Sequence, residues 1–172
     1  FHEMLPVTVT LEMPPNVCLL IVGGPLERAQ DIRAMVEDTD IYQRRVFVQG
    51  PWPYKELGPF YNALDLGLVP LSDIPIHNVS VGNKVFDYMA RGIPVFAPGT
   101  AVDTTAIIRE EFCGWTYYGP EAFRPMLEII MHGQNERKRR GYNGQVAFQK
   151  KYCWDVQAPT WIELCESVTS RA

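Results

Sequence analysis

The sequence predicts an α/β fold with a doubly wound parallel sheet and helices on both faces of that sheet. The first observation is an alternation of short apolar runs with longer segments of helical period along the chain. Such an alternation is typical of β-α-β units with parallel strands. The second observation is size. The 172 residues are 47% hydrophobic and 21% charged, which suffices for one globular domain that buries about 70% of its unfolded surface.

Five apolar runs are predicted as strands because each is rich in Val, Ile, Leu or aromatic residues and ends near a turn signal. The clearest run begins at Val17 and continues to a Gly-Gly-Pro turn, and the second ends at a Gln-Gly turn. Both turns end buried strands of a kind found in parallel sheets. The predicted strands cover residues 17–22, 46–48, 66–71, 95–97 and 114–117.

The segments around these strands carry apolar residues three or four positions apart among polar ones, which predicts amphipathic helices. Prolines and glycines near the ends of the segments supply the stops. The first segment is only weakly helical, because a Val-Thr-Val-Thr stretch interrupts its helix-forming residues before Pro14 and Pro15. The predicted helices cover residues 2–13, 26–37, 54–64, 83–91, 104–112, 120–132, 135–152 and 155–170.

The most informative stretch contains one helix, its two stops and the strand that follows. Val85 and Met89 fall four positions apart on one face of this helix, while Asn83 and Asp87 fall on another. Gly92 stands where a residue in the left-handed conformation ends a helix, and a proline two positions later prevents its continuation. The helix therefore has a buried side and a polar side.

The polar side of this helix has the chemistry of a nucleotide site. The free N–H groups of its first turn, with Lys84 beside them, attract an anion such as a phosphate. Asp87 lies one turn further on, where a carboxylate can accept hydrogen bonds from a ribose diol. In a parallel sheet, ligands bind at the carboxyl ends of the strands, and this helix follows such an end. The alternative is an ordinary helix start with solvated polar residues.

Composition excludes several other classes of partner. The formal net charge is −4, so there is no general electrostatic attraction to nucleic acid. The four cysteines form no Cys-x-x-Cys pair, and Cys18 lies within an apolar run. Buried, reduced thiols in a cytoplasmic protein are therefore expected rather than disulfides or zinc ligands. No apolar run is long enough to span a bilayer.

Five blocks of sequence, taken together, resemble a known family. The first two blocks are predicted strands followed by Gly-Gly-Pro and by Gln-Gly. The third is a Tyr-Asn-Ala-Leu-Asp segment followed by a predicted strand. The fourth is the helix that contains Lys84, and the fifth is the segment Tyr-Cys-Trp-Asp. In this order they resemble the C-terminal, donor-binding domain of GT-B fold glycosyltransferases of the family 4 type, the glycosyl transferases group 1. The blocks are residues 17–25, 46–50, 61–71, 83–94 and 152–155.

The resemblance implies that residues 1–172 form a single Rossmann-like domain, the C-terminal half of a GT-B fold. It implies a nucleoside diphosphate sugar as donor, UDP in preference to GDP, for sugar transfer in glycan or polysaccharide biosynthesis. Lys84 would stabilise the leaving diphosphate, so no metal or other cofactor is expected. The residues expected at the donor are Gly23, Gly24, Gln49, Gly50, Ser80, Val81, Gly82, Asn83, Lys84 and Asp87.

Two departures from the family pattern affect this interpretation. The family often carries two glutamates eight positions apart, but here Val79 stands at the earlier position and Asp87 at the later one. The ribose contact is therefore retained, while the sugar contact of the first glutamate is not. The first strand, with its phosphate-binding Arg and Lys, is expected before Phe1, unless residues 5–11 form that strand. The N-terminal acceptor domain is also expected outside the chain, so the chain by itself should bind the donor without catalysing transfer.

Two other functions remain open from the residues themselves. One is half of a nucleotide-sugar epimerase, which would need acid and base residues from another domain. The other is a non-enzymatic, flavodoxin-like docking module. A basic cluster around Arg137, with Lys150 and Lys151 nearby, allows the full-length protein to contact the cytoplasmic face of a membrane. We expect instead that this cluster forms a solvated helix face.

Overall fold

The computed structural model describes residues 13–40, 42–71 and 73–169. Within these ranges all paired strands are parallel, and helices flank them. The predicted α/β class with parallel strands is thereby confirmed. The strands are β1 (Leu19–Val22), β2 (Val46–Gln49), β3 (Gly67–Leu68), β4 (Val95–Pro98) and β5 (Gly114–Tyr117).

The strands form two hydrogen-bonded groups in the described part of the chain. β1 pairs with β2, and β4 lies between β3 and β5. β3 is shorter than the strand predicted over residues 66–71. The N–H of Val69 still donates to the carbonyl of Phe96 at 3.0 Å, but Pro70 has no N–H with which to extend the ladder. The strand that we expect before Phe1, or within residues 5–11, lies outside the described residues.

Most predicted helices are present with small shifts at their ends. The predicted helix over 54–64 is divided into a 3₁₀ turn, Tyr54–Glu56, and a separate helix. The reason is Pro59, which cannot donate a hydrogen bond back to the preceding turn. The helix predicted over 2–13 lies outside the described residues. The helices are α1 (Leu26–Val36), α2 (Gly58–Asn62), α3 (Pro75–Asn78), α4 (Asn83–Ala90), α5 (Val102–Glu110), α6 (Pro120–His132), α7 (Gln134–Ala147) and α8 (Trp154–Thr169).

A core of buried side chains connects the two groups of strands. It contains Leu19 of β1, Val46 of β2, Phe96 of β4 and Leu127 of α6 in one cluster. The ring of Phe96 is 1% exposed, and its centroid lies 5.3 Å from that of Phe123 at the start of α6. Both groups of strands therefore pack against α6, and burial of these side chains stabilises both groups.

A second cluster holds α4 in place. Val85 and Met89 are fully buried and contact Val95 of β4 and Ala147 of α7. The predicted apolar side of this helix is thereby confirmed. Gly92 has φ of +69°, the left-handed conformation expected after the helix. The helix is consequently fixed against the sheet by its apolar side, and its polar side faces outward.

The basic cluster on α7 has partners within the described structure. Arg137 donates to the carbonyl of Ile130 at 2.7 Å, near the end of α6. Arg140 donates to Gly114 and stacks 4.5 Å from the ring of Trp115. The predicted solvated face is therefore wrong for these two side chains, because carbonyls left free at helix and strand ends draw them inward. Among the described residues, the helices are too short or too polar to cross a membrane.

Glu136 pairs with two arginines of the same helix. Arg139 and Arg140 donate to its carboxylate at distances of 2.7 to 2.8 Å. These bonds hold the pKa of Glu136 at about 2, below its ordinary value of 4.5. The stabilisation that follows is present above pH 4.5 and is lost as the pH falls toward 2.

One thiol and one aromatic side chain, which we expected to be buried, are exposed. Cys18 is exposed, because side chains alternate along a strand and the neighbouring Leu19 and Ile21 point into the core. We expected Trp154 to pack α8 onto the domain, but its side chain is 70% exposed. α8 has no buried residue over its described length, so no core surface receives this ring.

Native-state thiol labelling should separate the cysteines by burial. Burial raises the pKa of the Cys113 thiol to about 12 from 9.0, so its thiolate is about a thousandfold rarer at neutral pH. We expect brief treatment with iodoacetamide at pH 8, read by mass spectrometry, to modify the exposed Cys18 and Cys165 and to spare Cys113. Modification of Cys113 should require denaturant. Equal labelling of Cys113 and Cys165 in the native protein would contradict its burial.

Candidate functional site

The candidate site lies at the start of α4, which follows β3 and the short helix α3 along the chain. Gly82 is extended and precedes the helix, and no side chain caps the first turn. The backbone N–H groups of Asn83 and Lys84 therefore point out of the helix start without a partner within the helix. Tyr88 donates to the carbonyl of Leu68 at 3.2 Å and fastens α4 to β3. The helix start is thus held at the carboxyl end of a strand.

Three side chains form a closed cluster on the polar side of this helix. The ammonium of Lys84 lies 2.9 Å from the Oδ2 of Asp87. It also donates to the hydroxyl of Tyr61 at 3.2 Å, and that hydroxyl donates to the same Oδ2 at 3.2 Å. Each of the three groups therefore contacts the other two. The structure brings together the two residues that we predicted for phosphate and ribose, and adds a third.

The cluster is accessible and remains charged. The side chain of Lys84 is 53% exposed and that of Asp87 is 20% exposed. Partial burial lowers the pKa of Lys84, but the hydrogen bonds to Asp87 and Tyr61 outweigh it and leave the pKa above its ordinary value. Lys84 therefore carries its positive charge at neutral pH, where a diphosphate is an anion.

Tyr61 and Arg91 are the members of the site for which we predicted no role. The guanidinium of Arg91 stacks on the Tyr61 ring at 4.1 Å and donates to the carbonyl of Asp87 at 3.1 Å. Arg91 and Asp87 are four positions apart, so helical spacing alone predicts that they share a face of the helix. Tyr61 belongs to a separate helix, and only its presence in one of the family-like blocks pointed to it.

The residues before α4 are tied to α5 and to the core. The carbonyl of Ser80 accepts a hydrogen bond from the buried Thr104 at 3.4 Å, which ties this segment to α5. The side chain of Val81 packs against the second core cluster. Val79 is 73% exposed, at the position where related proteins often carry a glutamate. The predicted contacts of Ser80 and Val81 with a ligand remain predictions.

The remaining predicted residues lie at the ends of the other pair of strands. Gly23 and Gly24 follow β1 with φ of +111° and +75°, so the turn there requires glycine. Gln49 pairs with Val22 at the end of β2, and Gly50 follows it. These four predicted residues form one group, and the cluster of Lys84, Asp87 and Tyr61 forms another.

No group of three or more His, Cys, Asp or Glu side chains that could hold a metal ion occurs in residues 13–40, 42–71 and 73–169. Independence from metal remains a prediction for this site.

Comparison with known proteins identifies the family. The family model described as glycosyl transferases group 1 matches residues 2–130. The chain belongs to this family. Four of the five family-like blocks lie within the matched residues, and the block at 152–155 lies beyond them.

A solved structure supports the fold of this member of the family. The chain is similar to the structure of sucrose-phosphate synthase from Thermosynechococcus elongatus, with a TM-score of 0.80 and 23% sequence identity. The similarity covers 96% of this chain and 42% of that protein. The comparison with curated proteins gave no match. The predicted GT-B type of fold is confirmed, and the chain spans less than half of the structure that it resembles.

Proposed function

We propose that this chain binds a nucleoside diphosphate sugar and supplies the donor half of a glycosyltransferase. The cluster of Lys84, Asp87 and Tyr61 at the start of α4 carries the proposal. It offers a fixed cation beside free backbone N–H groups, and a hydrogen-bond acceptor one helical turn away. A diphosphate and a ribose present the complementary groups at a comparable spacing.

Donor binding would exchange the partners of Lys84 and Asp87. In the absence of ligand the two side chains neutralise each other at 2.9 Å. A diphosphate carries more negative charge than one carboxylate and competes for the ammonium of Lys84. The carboxylate of Asp87 then accepts hydrogen bonds from the ribose diol. The ion pair thus keeps both binding groups at the site in the absence of the donor.

Lys84 and the helix start would also serve the transfer reaction. As the bond between sugar and diphosphate breaks, negative charge develops on the departing phosphate. A cation and N–H dipoles already in place stabilise that charge without reorganisation. This electrostatic contribution removes the need for a metal ion in the proposal. The acceptor and the groups that act on it would come from the rest of the full-length protein.

The preference for the nucleobase is taken from the family resemblance. The base would lie near Gln49 and Gly50, with UDP preferred over GDP, and the turn at Gly23 and Gly24 would contribute backbone groups. The product would enter glycan or polysaccharide biosynthesis in the cytoplasm. Val79 offers no carboxylate to the sugar, so the hydroxyls of the sugar would be bound by other groups.

Thermal melts with UDP, GDP, ADP and inorganic phosphate test the proposal. A ligand at about 100 times its dissociation constant stabilises the folded state by about 2.7 kcal/mol. For a domain of this size the melting temperature should rise by roughly 5 to 10 °C. We expect that rise with one nucleoside diphosphate and not with phosphate. Equal melting temperatures with all four ligands would contradict the proposed donor site.

The role of Asp87 is tested by the variant Asp87→Asn. The amide keeps the shape of the side chain but loses the charge that strengthens hydrogen bonds from the ribose. We expect UDP affinity to fall about tenfold, as expected when hydrogen bonds to a charged group are weakened. Isothermal titration calorimetry with UDP and 2′-deoxy-UDP measures this. The parent protein should prefer UDP, and Asp87→Asn should lose most of that preference.

Glu111→Gln is the matched control for this variant. Glu111 also pairs with a lysine and a tyrosine, Lys151 at 2.8 Å and Tyr152 at 2.9 Å. It lies outside the proposed site, so Glu111→Gln should leave the preference for UDP unchanged. If Asp87→Asn discriminates between the two ligands as well as the parent does, Asp87 does not bind the ribose.

A further inference from the structure

We propose that Tyr61 is a positioning residue of the donor site, whose hydroxyl holds Asp87 in its binding arrangement and keeps Lys84 beside it. This inference rests on the proposed function. The hydrogen-bond directions follow from chemistry, because a carboxylate only accepts and an ammonium only donates. The Tyr61 hydroxyl must therefore give its hydrogen to Asp87 and accept from Lys84, as the distances of 3.2 Å indicate.

The hydroxyl is a fixed point because its ring cannot move freely. Tyr61 is 7% exposed, and its ring meets the ring of Tyr88 edge to face with centroids 6.0 Å apart. On another side, the guanidinium of Arg91 lies 4.1 Å from the ring centroid. Arg91 is held in turn by the carbonyl of Asp87. Tyr61 is thus clamped between side chains of α4 while its own backbone belongs to α2.

A clamp from a second helix changes what the ion pair can do. An exposed lysine paired with an acid three residues away on the same helix is held only weakly. The additional bonds from Tyr61 restrict both side chains before the ligand arrives, so less freedom is lost on binding. The same hydroxyl can keep its bond to Asp87 while Lys84 turns to the diphosphate. Tyr61 therefore acts on the ligand through Asp87, the neighbour whose bond it keeps.

Tyr61→Phe tests this role, since it removes the hydroxyl and keeps the ring. We expect UDP affinity of the 172-residue chain, measured by calorimetry, to fall about three- to tenfold. In the Asp87→Asn background the same change should cost much less, because the partner is already altered. Tyr152→Phe is the control, since Tyr152 bonds Glu111 in a similar cluster away from the site.

The outcomes separate the two proposals. If the parent chain binds none of UDP, GDP and ADP, the proposed function fails and this inference fails with it. If the parent binds but Tyr61→Phe binds equally well, only the positioning role is overturned. A loss that persists in full in the Asp87→Asn background would overturn it too, since the hydroxyl would not act through Asp87. Equal losses in Tyr61→Phe and Tyr152→Phe would indicate a general structural effect and also overturn it.

Discussion

Lys84→Ala should weaken UDP binding by about 10- to 100-fold, the range expected when a charged hydrogen-bonding partner of a phosphate is removed. The side chain is half exposed and sits beside the free N–H groups at the start of α4. Its pKa is raised above the ordinary value, so the charge that is removed is a full one at neutral pH. Calorimetry with UDP and with uridine separates the phosphate contribution from the rest.

The affinity for uridine should change much less than the affinity for UDP, because uridine carries no phosphate. Lys151→Ala is the matched control. Lys151 is 59% exposed and pairs with Glu111 at 2.8 Å, so it resembles Lys84 in exposure and in its ion pair. It should leave UDP affinity unchanged. An equal loss of affinity for UDP and uridine in Lys84→Ala would place the diphosphate elsewhere.

Gly141→Ala should lower the free energy of unfolding by about 2 to 3 kcal/mol, although alanine is the better helix former. Gly141 lies inside α7 where that helix crosses the turn after α4. A Cβ atom at this position would clash with the carbonyl oxygen of Gly92 and would lie 3.3 Å from the ring of Pro94. Backbone atoms cannot rotate away as a flexible side chain would, so the helix or the turn must shift.

Chemical denaturation read by circular dichroism measures this change. Gly58→Ala is the control, because nothing lies within 4 Å of a Cβ at Gly58. There alanine should leave stability unchanged or raise it slightly. Since the displaced turn ends α4, Gly141→Ala should also disturb the cluster around Lys84. A variant at least as stable as the parent would contradict the close contact of α7 with Gly92.

The sequence predicted what depends on neighbours along the chain. The spacing of Val85 and Met89 fixed the buried side of α4, and Gly92 with the following proline fixed its end. The three-residue spacing of Lys84 and Asp87 placed them together, because helical geometry alone puts such residues side by side. The same local information set the Gly-Gly-Pro turn after β1, and the family resemblance rested on these segments in order.

Local patterns did not predict contacts that the chain makes at a distance. Tyr61 reaches Lys84 and Asp87 from another helix, and Arg140 reaches the carbonyl of Gly114. A sequence pattern states which face of a helix is polar, but not what lies opposite that face. The sequence by itself therefore determined the fold class, the helix of the site and two of its charged groups. Only the tertiary structure decided which side chains meet them, because packing between separate elements sets those distances.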